Sequence, residues 1–215
     1  MITDIQTIMW KETRSMFRHR GSRSRSILTL MMPMALAIYL PWESGSDWVN
    51  GPVSLLLALA IPILVVGLTI PDSFAGERER HTLGTLLASR LPDCAILFGK
   101  IVPSVALAWA LVLLTLVLGL VVVNVVHWDG DLLIYSPIVI TASVGLSLMV
   151  AILTAAAGVL ISLRIGTVQE ASQMLMMVLL LPPTVAGPLV MIVFRGRLRD
   201  TFGGIEPAQA LMVAA

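Results

Sequence analysis

Hydrophobic and polar positions in this chain are arranged in blocks. The first block, residues 1–26, is mixed: Ile5, Ile8, Met9, Met16 and Phe17 recur at helical spacing, and Lys11, Glu12, Arg14 and Arg18 take the other face. That pattern predicts an amphipathic helix lying in a membrane interface with its basic groups toward anionic headgroups. Arg20, Gly21, Arg23 and Arg25 follow as a basic hinge. Five apolar runs then cover residues 27–42, 52–70, 101–126, 137–163 and 174–194, and each predicts a membrane-spanning helix. The first run is short for the ~20 residues a bilayer core needs, so its ends extend into flanking Ser and Trp. The third, at roughly 26 residues, is long enough to tilt.

The polar breaks carry as much information as the runs. Trp42 and Trp48 bracket a small acidic loop and suit the aromatic belt of the interface. The second run ends at Pro71 and gives way to a charged island from Asp72 to Lys100. Glu77, Arg78, Glu79 and Arg80 cannot sit in hydrocarbon, where each charge costs roughly 2.5–3.5 kcal/mol even on the lenient insertion scale. Asp72 or Ser73 is placed to cap a short helix after Pro71, and Thr82 a second one. In that second helix Leu83, Leu86 and Leu87 form one apolar stripe, a knob suited to a groove on a soluble partner. The blander alternative is a solvated loop with Glu77 and Glu79 paired to Arg78 and Arg80. Lys100 closes the island with a stem long enough to snorkel to the headgroups. In the fourth run the small residues Ala151, Ala155, Ala156, Ala157 and Gly158 permit close helix packing. The fifth contains Pro182, Pro183 and Pro188, which predict a kinked or partly re-entrant segment. Residues 208–215 are apolar again but too short to cross, and read as the start of a sixth span cut off.

Composition supports the membrane assignment. The 215 residues are 57% hydrophobic and 13% charged, against about 25% charged in a soluble domain, and mean hydropathy is +0.93. A net charge of +1 gives no reason to expect nucleic acid as a partner. The lone Cys94 excludes an intramolecular disulfide framework and a cysteine-cluster metal site. Basic residues fall before the first run, in the island and after the fourth (Arg164), whereas 43–51 and 127–136 hold only acidic charges. The positive-inside rule therefore predicts a cytosolic N-terminus. Arg195, Arg197 and Arg199 disagree if the fifth run crosses fully. Chemistry of a catalytic kind is missing from the sequence. There is no phosphate-loop motif, so the chain itself is expected to bind no ATP, and His19, His81 and His127 lack metal-ligand spacing. Ser104, Ser143 and Ser147 are expected to bond back to helix carbonyls. Met174, Met176 and Met177 are expected in core packing.

A resemblance sharpens the reading. Phe74, Gly76, Glu77, Arg78, Glu79, Thr82, Leu83, Leu86, Leu87, Gly99 and Lys100 resemble, in order and spacing, the signature of type-2 ABC exporter permeases. WKETRSMFRHR, with Lys11, Glu12, Arg14 and Arg18, is similar to that family's interfacial elbow helix. LISLRIGTVQEASQ, with Ser162, Arg164, Glu170, Ala171 and Gln173, resembles the break before its fifth span. Gly84 departs from the pattern, standing where an acidic residue is common. The resemblance implies an all-α integral membrane protein with an elbow and hinge at 1–26 and a permease domain at 27–215. Five spans and the start of a sixth are then expected, with cytosolic coupling helices in 72–100. Phe74, Gly76, Glu77, Arg78, Glu79, Thr82, Leu83, Leu86 and Leu87 would meet a nucleotide-binding subunit that carries ATP and Mg²⁺. It also implies a second permease copy or paralogue and a place in the cell membrane. A contrasting expectation is a non-transporting scaffold that recruits a soluble partner through 72–100.

Overall fold

The computed structural model describes residues 2–18, 23–79, 81, 92–128 and 130–180; for 2–5, 15–18, 23–30 and 93 it describes the backbone alone. Among the described residues seven helices follow in chain order, with no strand. They are α1 (Ile2–Arg18), α2 (Arg23–Ser44), α3 (Asp47–Asn50), α4 (Val53–Glu79), α5 (Asp93–Val126) and α6 (Pro137–Ser162), then α7 (Val168–Leu180). Residues 1–176 form one compact unit; of a second unit, 177–215, the structure describes 177–180, which continue α7. Among the described residues three helices, α4, α5 and α6, are long and apolar enough to cross a membrane. The first predicted span lies within α2, and α7 begins ahead of the fifth predicted run. The prolines and arginines of 182–199, and the apolar close at 208–215, lie outside the described residues.

Packing separates small residues from large ones. Along α6, Ser143, Ser147, Ala151, Thr154, Ala155, Gly158 and Ser162 are buried, while Ile138, Met149, Ile152, Leu153 and Leu160 face outward. Hydrocarbon is as apolar as leucine, so burying large apolar side chains gains little in a bilayer, and small residues that let backbones approach are favoured instead. α4 lies along both α5 and α6 and contributes Leu57, Ala58, Ile61, Val65, Val66, Ile70 and Phe74 to the core. Of the serines expected to bond back, Ser104 donates to the Lys100 carbonyl at 3.3 Å and Ser147 to Val144 at 3.0 Å. Ser143 does not; its buried hydroxyl has no hydrogen bond.

Two expectations are corrected here. α4 does not stop at Pro71 but runs through it to Glu79, so neither Asp72 nor Ser73 caps a new helix. Pro71 is itself buried between Ile70 and Phe74, and their packing outweighs the carbonyl partner that the ring removes. The helix ends instead where His81 takes a left-handed conformation (φ +56°) and donates its N–H to the Arg78 carbonyl at 3.0 Å. Trp48, expected in the interfacial belt, is buried at the opposite end of the bundle against Gly119. Its indole N–H donates to the Tyr135 hydroxyl at 2.7 Å, which donates to the Leu116 carbonyl at 2.9 Å. Burial pushes the Tyr135 phenol up to about 12, against a smaller lowering from the Trp48 bond, so it stays a donor. Trp42 remains exposed, as a belt residue should.

Candidate functional site

Lys100 occupies the first third of α5 and is 1% exposed. Its Nζ lies 2.8 Å from Glu12 Oε1 of α1, 2.9 Å from Glu77 Oε1 of α4 and 2.8 Å from the Ser73 carbonyl. The Phe74 ring stands 5.4 Å from the same nitrogen. An ammonium has three protons to donate, and here three oxygens on two other helices receive them. Burial of the charge is costly alone, and the two carboxylates, the carbonyl and the ring face together offset that cost. The expectation that Lys100 snorkels to headgroups is thereby corrected: the stem turns into the protein because both carboxylates are there.

Glu12 reaches the lysine because of its register on α1. It follows Ile8 by four residues, so the two share one face. Ile8 packs on Ala95 and Ile96 of α5, and Gly99 is what admits it: a Cβ there would come 2.5 Å from Ile8 Cγ2. Lys11 and Arg14 take the exposed face, where the Arg14 guanidinium lies 5.0 Å from the centre of the exposed Trp10 ring. Glu12 is thus not part of the basic face that the sequence pattern suggests. Arg18 closes α1.

The charged run of α4 is engaged with its own chain. Glu77 pairs with Lys100. Arg78 donates from Nη1 to the Leu163 carbonyl at 3.0 Å and to the Ile165 carbonyl at 3.5 Å. Glu79 Oε1 accepts the Val168 N–H at 2.8 Å. Gly76 and Ala75 face the first turn of α7, with Ala75, Val168 and Ala171 in one buried cluster. The structure therefore brings Glu12, Phe74 and Glu77 together around Lys100, and sets Gly76, Arg78 and Glu79 against the α6–α7 break. Thr82, Leu83, Leu86 and Leu87, like Arg80, lie outside the described residues. Ser73, whose contribution is a backbone carbonyl, carries no side-chain signal that a sequence reading could use. Among the described residues no cluster of His, Cys, Asp and Glu could hold a metal.

These features define a multi-pass helical membrane protein with a buried ion cluster where its N-terminal helix meets two apolar helices. The chain belongs to the ABC-2 type transporter family, whose model matches residues 3–192, and so is the permease component of an ABC transporter. Comparisons with curated proteins and with solved structures return no match.

Proposed function

We propose that this chain is the membrane-spanning subunit of an exporter whose ATP, with Mg²⁺, is bound and hydrolysed on a separate nucleotide-binding subunit. A second permease copy or paralogue completes the pathway, in the cell membrane, with the N-terminus and residues 72–100 in the cytosol. The observation that carries this reading is the Lys100 cluster. It joins α1, the end of α4 and the start of α5, the last two being the helices that residues 80–91 connect in sequence, and the leucines of that stretch suit a partner's groove. A push transmitted to the end of α4 or the start of α5 then reaches three helices through charge-assisted bonds. Closure of the ATP-binding subunits would favour one packing of these helices over another, and so turn the pathway from one side to the other.

The test is purification of the intact chain from its native membrane, with co-purifying proteins identified by mass spectrometry and assayed for ATP hydrolysis. A stoichiometric ATP-binding subunit whose hydrolysis depends on this chain is the expected result. A stable complex with a soluble partner that binds no nucleotide would replace the reading with that of a scaffold.

A further inference from the structure

We infer that Arg78 and Glu79 are positioning residues that clamp the end of α4 onto the break between α6 and α7. They carry its movement directly into the first turn of α7. The inference rests, in its functional part, on the permease reading above.

A helix start leaves four N–H groups without an intrahelical acceptor. At α7 the Thr167 hydroxyl accepts one of them locally, from Glu170 at 3.3 Å. The Val168 N–H is accepted by Glu79, 89 residues earlier in the chain. A carboxylate at this position also complements the positive end of the helix dipole. The opposite polarity is treated in the same way. Just past the end of α6 at Ser162, the Arg78 guanidinium donates to the carbonyls of Leu163 and Ile165. Two consecutive side chains of α4 thus satisfy both halves of one helix break, each with the charge that its half prefers. Behind them Ala75, Val168 and Ala171 form one buried apolar contact, with Ile161 and Ile165 packed against it, and such close packing transmits a displacement rather than absorbing it. Arg78 and Glu79 are both exposed at their outer edges, so a docking role would be the simple reading of their charge. The geometry assigns them to the chain's own helix break instead.

The deciding experiment compares Glu79→Ala, Glu79→Gln and Arg78→Ala in the full-length protein purified with its ATP-binding subunit. Amide hydrogen exchange over residues 163–171 and ATP hydrolysis are followed in parallel. Glutamine keeps an oxygen acceptor for the Val168 N–H and loses only charge; alanine loses both. Expected for Glu79→Ala and Arg78→Ala is exchange about fivefold faster over 163–171. Stimulated hydrolysis should fall with the partner still bound, and Glu79→Gln should stay near the unsubstituted protein in both readouts. Unchanged exchange in Glu79→Ala overturns the clamp. So does equal loss in Glu79→Gln and Glu79→Ala together with release of the partner, which would make the carboxylate a docking charge. Should the purified protein carry no ATP-binding subunit, the proposed coupling to a separate ATPase fails, yet the exchange measurement still decides the clamp.

Discussion

Lys100 places one ammonium among two carboxylates, a carbonyl and a ring face, nearly out of contact with solvent. Removing one member of such a set is worse than removing the set, because the survivors remain buried and charged. Lys100→Met removes the ammonium that Glu12 and Glu77 share and is expected to cost about 3–5 kcal/mol. The cost would be read as a fall in the thermal unfolding midpoint of the purified protein. Adding Glu12→Gln and Glu77→Gln removes the two carboxylate charges that the lysine faced and should restore most of the midpoint. Hydrolysis by the ATP-binding subunit should stay low in the triple variant, since α1 and α4 are no longer fastened to α5 by charge-assisted bonds. If hydrolysis recovered along with stability, the cluster would be a structural feature only. Legibility at this scale was partial. Glu12, Glu77 and Lys100 all stand out in the sequence, but their mutual contact spans 88 residues in the chain and leaves no periodic trace.

At the scale of elements, approach distance is set by glycines, and what each one faces decides its cost. Gly99 meets the β-branched Ile8, whose Cβ and Cγ2 would lie 2.7 and 2.5 Å from an added Cβ. At Gly67 the nearest atom to an added Cβ is the terminal methyl of Met176, at 2.6 Å. A methionine end swings away through its free rotors, whereas an isoleucine stem on a packed helix cannot. Gly99→Ala should therefore push α1 from α5 and lengthen the Glu12–Lys100 bond, at the ~1–3 kcal/mol cost typical of overpacking, read as a lower midpoint. Gly67→Ala should be nearly silent. Ile8→Ala in the Gly99→Ala background should recover part of the loss; an unchanged deficit would place its origin elsewhere. The helices themselves were readable from the apolar blocks, because a bilayer or a helical core demands long uninterrupted runs. Their ends were less so. Pro71 reads as a stop on propensity alone, yet it is carried inside α4 by the packing of Ile70 and Phe74, and tertiary contact overrides the local signal. Trp48 misleads in the same way: an amphipathic ring suits an interface, but it equally suits a buried site with an acceptor, which Tyr135 supplies from 87 residues away.

For the molecule as a whole, the proposed mechanism depends on which side of the membrane the ion cluster faces. An ATP-binding subunit works in the cytosol, so the start of α5 must be there for residues 80–91 to meet it. The sequence offers a clean probe, because Cys94 is its one cysteine and is exposed two residues into α5. At the far end of α5, Leu132 is exposed in the loop before α6. A helix of 34 residues rising ~1.5 Å per residue separates the two ends by more than the hydrocarbon thickness. A membrane-impermeant maleimide should leave Cys94 unmodified in intact cells and label it in inside-out vesicles. A Cys94→Ser, Leu132→Cys variant should show the reverse pattern. Labelling of Cys94 from outside would put the Lys100 cluster, the α4 clamp and residues 80–91 beyond the reach of cytosolic ATP. It would end the proposed coupling route even though the family assignment stood. The acidic loops at 43–51 and 127–136 and the basic residues flanking α4 and α5 lead us to expect the first outcome, since lysine and arginine near short loops resist translocation while acidic residues contribute little.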